Sequence, residues 1–142
     1  MVANTYARTY RTNAVLTASP GQLVLMLFDG ALKAMALASQ AFSGIADNPR
    51  NIPVVHKELM RAQGIIAELQ SGLNLEEGGD FARNMHGLYE YYNRRLFEAN
   101  LRKQIEPLLE VERLLRDLRD AWAEMLKGQG QHPAIERMQG VA

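Results

Sequence analysis

Four stretches of the chain repeat their apolar residues every three or four positions, the spacing that places side chains on one face of an α-helix. These stretches cover about residues 20–44, 51–73, 80–101 and 106–127. No segment shows the alternation of apolar and polar residues that is typical of a strand. Because the connections between the stretches are short, the pattern predicts an all-α protein, an antiparallel up-down four-helix bundle.

The first helix has a clear start signal. Ser19 suits the N-cap, Pro20 suits the first helical position, and Gln22 completes a capping box three residues after the cap. Residues 1–18 precede this signal and are expected to form a mobile N-terminal segment. Residues 128–142 contain Gly, Gln and Pro, which weaken helices, and are expected to form a flexible tail. The bundle itself is predicted to span residues 19–127.

The third helix has weaker end signals. Adjacent Gly78 and Gly79 raise the entropic cost of helix formation, so Asp80 is expected to cap the helix that follows. Asn100 tolerates the left-handed conformation found where helices end, and it is expected near the C-terminus of this helix. The fourth helix is expected to begin at Glu106.

The fourth helix carries a second apolar line beside its core stripe. Its members are Leu109, Leu114, Leu118, Ala121 and Met125. A helix with surplus apolar width can form an interface. Central helices of a bundle also bury more than one stripe, so both interpretations stay open.

The chain has no net charge, but its charged residues are unevenly distributed along the sequence. Sixteen basic residues match sixteen acidic ones, so the global positive field that favours nucleic acid is missing. The third helix is rich in basic residues and the fourth in acidic ones. The simplest role for these charges is to form solvated faces and pairs between helices.

Composition bounds the cellular setting. The 142 residues, 47% of them hydrophobic, suit a single folded domain. There is no cysteine, which fits a reducing compartment, so a cytoplasmic protein is expected. The N-terminal residues lack the apolar core of a secretory signal, and no apolar run approaches the roughly 20 residues that span a bilayer. Stable membrane insertion is therefore not expected.

The histidines do not form the metal site that such bundles commonly hold. That site needs Glu-x-x-His pairs, whereas Pro53 lies three residues before His56 and Arg83 three residues before His86. His132 lies in the tail. No metal and no cofactor are therefore expected.

Covalent chemistry finds little support in the remaining residues. Ser39, Ser43 and Ser71 have no histidine at motif spacing, and no glycine-rich phosphate loop is present. His86 leaves one alternative function open, a bundle signalling domain of the histidine phosphotransfer type, although no lysine lies near it to stabilise a phosphate. The sequence predicts a protein that is not an enzyme.

Several segments, in order and at matching spacing, resemble the flagellin-specific export chaperone family known as FliS, from about Tyr10 to Leu126. The matching residues are Tyr10, Val15, Thr17–Pro20, Leu23, Met26–Ala31, Ile65–Ile66, Glu68–Leu69, Gly78–Gly79, Asn84, Leu88–Tyr89, Arg94–Leu96, Ala99–Asn100 and Leu118–Trp122. Phe28 stands where the family commonly has tyrosine. A hydrogen bond from that hydroxyl is therefore not available in this chain.

This resemblance implies a cytoplasmic bundle that binds the C-terminal segment of flagellin, blocks its premature polymerisation and delivers it to the flagellar export apparatus. It also implies partner-binding residues in three parts of the chain, with the N-terminal ones acting as a lid over apolar surface. The candidates are Tyr10, Val15, Leu16, Leu23, Leu27, Asp29, Gly30, Leu88, Tyr89, Arg95, Leu96 and Asn100. The oligomeric state stays open.

Overall fold

The computed structural model describes residues 18–128, which form four α-helices and no strand. Their bounds are α1 Pro20–Ser43, α2 Asn51–Ser71, α3 Gly79–Arg102 and α4 Glu106–Lys127. Helices α1 and α3 each pack against both α2 and α4. The expected all-α four-helix bundle is confirmed.

Contacts between the helices show that neighbours run in opposite directions. Along α2 and α3, His56 pairs with Asn100, whereas Gln63 pairs with Asn93, so residue numbers rise on one helix as they fall on the other. The side chain of Asn51 at the start of α2 donates to the Ala41 carbonyl near the end of α1, 3.2 Å away. The chain therefore folds up and down through its short connections.

An aromatic cluster joins three helices in the core. The ring of Phe28 on α1 lies 6.5 Å from that of Tyr89 on α3 and 6.3 Å from that of Trp122 on α4, between ring centroids. Both pairs are tilted or edge-on, the geometry that aromatic quadrupoles favour. Burial raises the pKa of Tyr89, so its hydroxyl stays protonated in the core. Phe28 is fully buried here, where a phenylalanine avoids burying a further polar group.

The start of α1 matches its sequence signal. The Ser19 hydroxyl accepts a hydrogen bond from the Gln22 backbone N–H at 3.2 Å, and the Gln22 side chain accepts one from the Ser19 N–H at 3.0 Å. Two N–H groups that would otherwise lack a partner are thus satisfied. The predicted capping box is confirmed.

The expected cap of α3 is wrong, whereas its C-terminus lies near Asn100 as predicted. Gly78 is the N-cap, and Asp80 lies in the first turn, where its side chain pairs with Arg83 instead of capping the backbone. At the other end the helix continues past Asn100 to Arg102, and Lys103 adopts the left-handed conformation, with φ 50°. Asn100 stays helical while its side chain bonds across to α2, a tertiary contact that local propensity does not include.

A polar network ties α3 to α4. The Arg95 guanidinium donates to Glu110 and to Glu98, at 2.7 Å each, and the Tyr91 hydroxyl donates to Glu110 at 2.9 Å. These hydrogen bonds, that of Arg95 first, hold the pKa of Glu110 below its ordinary value of 4.5. The folded protein therefore favours the ionised carboxylate.

Replacing the capping serine tests the start of α1. We expect Ser19→Ala to lower the free energy of unfolding by about 1 kcal/mol, because the backbone N–H of Gln22 loses its hydrogen-bond partner. The matched control is Ser71→Ala, whose hydroxyl donates only to the carbonyl of Glu68 in its own helix, and its effect should stay below about 0.5 kcal/mol. Urea unfolding measures both variants, and equal effects would contradict the role of the box.

The Glu110 carboxylate should make stability depend on pH in a defined direction. Because its pKa is lowered on folding, its stabilisation is present above pH 4.5, the ordinary value, and is lost as the pH falls through the folded value. The destabilisation caused by Glu110→Gln should therefore shrink below pH 4.5.

Chemical unfolding at several pH values measures this difference. The control is Glu124→Gln, which removes an exposed pair with Lys127 on the same helix. A difference between wild type and Glu110→Gln that stays constant with pH would show that the charge of Glu110 does not contribute.

Candidate binding surface

Helix α1 carries more apolar surface than the bundle covers. Within its 24 residues only Asp29 and Lys33 are charged, and by length and composition it could cross a membrane. The core helix of a bundle passes the same test, but only 39% of the apolar stretch of α1 is buried. The remainder is half-buried or exposed, and its exposed apolar residues need a separate explanation.

The outward residues of α1 follow one another at helical spacing. Leu23, Met26 and Leu37 are exposed, and Leu27 and Gly30 are half-buried. We call these five residues the α1 surface. Leu23, Leu27 and Gly30 are among the partner-binding candidates that the resemblance implies. The structure places these three residues together on one side of α1.

Gly30 lies where α1 meets α2. A Cβ atom built on Gly30 would lie 3.5 Å from the Cδ1 atom of Ile65, which is ordinary van der Waals contact. The glycine is therefore not required by lack of space between the two helices. Because glycine has no side chain, the α1 surface is lower at Gly30 than at the neighbouring Leu27 and Leu37.

A groove between α1 and α4 borders the α1 surface. It encloses about 630 Å³ and is lined by Gln22, Leu25, Arg119, Asp120, Ala123, Glu124, Leu126 and Lys127. Apolar side chains from both helices lie within a charged rim. Such a groove suits an amphipathic segment, whose apolar face packs inside while its polar face meets the rim.

Asp29, another sequence candidate, lies beside this groove. Its carboxylate accepts a hydrogen bond from the Nε atom of Arg119 at 2.7 Å, and Asp120 pairs with the same guanidinium at 3.2 Å. The hydrogen bond to Asp29, followed by that to Asp120, raises the pKa of Arg119 above its ordinary value. Asp29 thus holds Arg119 in place at the groove and helps join α1 to α4.

The start of α1 is anchored beside the same groove. The indole N–H of buried Trp122 donates to the Gly21 carbonyl at 2.9 Å. This bond holds the start of α1 against α4, and the capping box defines where the helix begins. Tyr10, Val15 and Leu16, the other sequence candidates of the N-terminal part, lie outside the described residues.

Two candidates on α3 belong to the core instead of the surface. Tyr89 and Leu96 are 2% and 0% exposed, so in this conformation neither can contact a partner. They lie on the buried stripe of α3 and contribute to the core. Leu88, next to Tyr89, is exposed and stays a candidate.

The remaining two candidates lie toward the opposite end of the bundle. Arg95 is engaged with Glu98 and Glu110, so its observed role is to join α3 and α4. Asn100 donates from its amide to the Nδ1 atom of His56 on α2, 3.0 Å away. Neither residue adjoins the start of α1.

Sequence reasoning missed several residues of the apolar region. Met26 and Leu37 complete the α1 surface, and Leu25 and Leu126 line the groove. The sequence did contain a signal for two of them: Met26 lies three residues after Leu23, and Leu37 lies seven residues after Gly30. Both spacings place the residues on the same face of a helix. On α4, the second apolar line is mostly half-buried against the core, apart from exposed Leu109 and Ala121.

Comparisons with known proteins agree on one family. Residues 2–129 match the family described as flagellar protein FliS. A relative from Salmonella typhimurium is 40% identical over 84% of this chain and 86% of its own length, and one from Bacillus subtilis is 37% identical over 90% of each. A third, from Escherichia coli, is 38% identical over 85% and 86%.

All three relatives bear the name flagellar secretion chaperone FliS, and a chaperone acts without covalent chemistry. Within residues 18–128 no three metal-ligating side chains form a group that could hold an ion. A match over nearly the whole chain, on the four-helix bundle that the resemblance implies, shows that this chain belongs to the FliS family of flagellar proteins.

Proposed function

We propose that this protein binds the C-terminal segment of flagellin in the cytoplasm, prevents its premature polymerisation and delivers it to the flagellar export apparatus. The observation that carries the proposal is the apolar α1 surface, which the bundle covers only in part. Family membership supports it, because the relatives are named as flagellar secretion chaperones.

The chemistry of the client explains why such a surface is useful. A subunit that polymerises through amphipathic helices exposes an apolar face before it assembles, and such faces associate with one another. An apolar groove with a charged rim covers that face without changing any covalent bond. The α1 surface and the adjoining α1–α4 groove, with Leu25 and Leu126 inside and Arg119 at the rim, have this composition.

Binding of this kind is strong enough to protect the client and weak enough to release it. A segment that folds as it docks loses conformational entropy, which offsets several kcal/mol of the contact energy. Release at the export apparatus then requires a smaller input of free energy. The chaperone needs no hydrolysis step of its own for this cycle.

The N-terminal segment is proposed as a lid. Residues 1–17 join the bundle at the capping box of Ser19, beside Gln22 and the α1–α4 groove. Tyr10, Val15 and Leu16 would cover part of the apolar surface when the client is absent and yield it when the client arrives. The lid would thus lower the exposure of apolar surface to solvent and to other proteins.

Calorimetric titration with a peptide covering the C-terminal segment of the organism's flagellin tests the binding. We expect saturable 1:1 binding with a negative heat-capacity change, since apolar surface is buried. No heat at several temperatures, together with no co-purification of flagellin, would reject the proposed client. Phosphorylation of His86 by a phosphodonor would then support the signalling alternative.

Charged substitutions test where the peptide binds. Leu23→Glu and Leu27→Glu should each weaken affinity by about ten-fold or more, because a carboxylate would be desolvated in the contact. Tyr10→Glu should also weaken it. The matched control is Ile52→Glu, at a similarly exposed apolar position at the start of α2, which should leave affinity unchanged.

Circular dichroism must show that each variant keeps its helix content. Unchanged affinity in all three variants would reject the α1 surface as the binding site. The fold and the family assignment would stand in that case.

A further inference from the structure

A second concave surface lies at the end of the bundle where α1 and α3 finish. It encloses about 310 Å³ between α2 and α3 and is lined by His56, Met60, Phe97, Asn100, Leu101 and Lys103. We call it the α2–α3 groove. Its three apolar side chains, Met60, Phe97 and Leu101, are 51%, 56% and 70% exposed.

The fold does not require these apolar residues. On α3 the buried positions near the groove are Tyr92, Leu96 and Ala99, so Phe97 and Leu101 lie off the core stripe. Isolated exposed apolar residues are ordinary on protein surfaces. Three of them around one concavity, from two helices, are typical of an interaction site.

The helix segments beside the groove are basic, although the whole chain is neutral. Within residues 52–64 and 93–104 the acidic residues are Glu58, which is buried, and Glu98, which pairs with Arg95 at 2.7 Å. The exposed or half-buried basic residues there include Lys57, Arg61, Arg94, Arg102 and Lys103. Arg61 pairs with Glu58 at 4.0 Å, whereas the other four have no ionic partner among the described residues. The segments therefore keep a net positive charge, which favours an acidic partner.

Lys103, which contributes to this positive charge, has an unusual backbone conformation. Among residues 18–128 it is the one non-glycine residue with positive φ, a conformation that disfavours side chains with a Cβ atom and for which glycine is common at helix ends. Its ammonium donates to the carbonyl of Asn100 at 2.8 Å and to the side-chain oxygen of the same residue. The Asn100 amide in turn bonds His56. A lysine is thus kept at the rim where a glycine would fit the backbone better.

The ammonium of Lys103 lacks an ionic partner among the described residues. Partial burial lowers the pKa of Lys103, since desolvation disfavours its charged form. A carboxylate of a binding partner next to the ammonium would stabilise the charged form of Lys103. The groove is therefore prepared for an acidic group next to an apolar one.

The geometry points to the α2–α3 groove as the docking site for an acidic amphipathic helix of a second protein, bound independently of the α1 surface. The apolar face of that helix would contact Met60, Phe97 and Leu101, and its carboxylates would meet Lys103 and Arg102. The α1–α4 groove lies at the opposite end of the bundle, because Gly21 contacts Trp122 at one end and His56 contacts Asn100 at the other.

The chain's own terminal segments do not fit this charge requirement. Residues 1–17 contain Arg8 and Arg11 and no acidic residue. Residues 129–142 contain one acidic side chain, Glu136, and one basic side chain, Arg137. Neither segment offers the acidic face that the groove would attract, so an occupant from another protein is the better match.

Two designed peptides of about 18 residues test the proposal on the full-length chain. Both carry leucines at positions i, i+3, i+4 and i+7; one has glutamates on the flanking positions and the other has lysines. We expect the acidic peptide to bind at least about ten-fold more tightly than the basic one, and the methyl signals of Met60 and Leu101 to shift in nuclear magnetic resonance spectra.

The variant Lys103→Gly separates recognition from folding. Glycine suits the left-handed backbone, so the melting temperature should not fall, whereas affinity for the acidic peptide should drop by about ten-fold. The matched control is Arg50→Ala, which removes an exposed positive charge at the same end of the bundle outside the groove and should leave affinity unchanged.

Three results would overturn the proposal: no binding of the acidic peptide, equal binding of both peptides, or unchanged affinity in Lys103→Gly. Shifts at Leu23 and Leu27 instead of Met60 and Leu101 would likewise assign the peptide to the α1 surface. Saturating flagellin peptide should leave acidic-peptide binding unchanged, and displacement from the groove would show that the client itself is the occupant. Failure of flagellin binding alone would leave the groove proposal intact.

Discussion

The structure depends on where the apolar surface of α1 is buried and where it is not. One side of the helix packs into the core through a run of small side chains, among them Ala31, Ala34 and Ala38, all fully buried. Small residues let neighbouring helices approach closely. Leu23 and Met26 lie outside this packed side of α1 and stay exposed. The helix therefore has one side in the core and an exposed apolar surface beside it.

The interface between α2 and α3 is built differently, from polar groups. Gln63 donates to the Asn93 carbonyl at 3.3 Å, and Asn93 donates to the Gln63 carbonyl at 3.2 Å. The side-chain oxygens of both residues are buried without a partner among the described residues, which is unfavourable. These directional bonds define one register between the two helices, whereas apolar contacts alone would allow sliding. A defined register is what places His56 beside Asn100 at the end of the bundle.

Two surfaces on different helices suit a protein that acts between other proteins. The α1 surface is apolar and extended, which matches a client segment that folds as it binds. The α2–α3 groove is smaller and has a basic rim, which matches a partner selected by charge. Because the two surfaces share no residue, each can be altered by substitution without removing the other.

The sequence by itself determined the helices, the capping box at Ser19 and the family, because these depend on local spacing and on residue order. The site followed only in part: Leu23 and Leu27 lie at the surface as expected, but Tyr89 and Leu96 are buried. A helical period tells which residues share a face, and it does not tell which face a neighbouring helix covers. That choice and the pairing of Asp29 with Arg119 across 90 positions of sequence were decided by the packing of whole helices, since each depends on contacts between residues far apart in the chain.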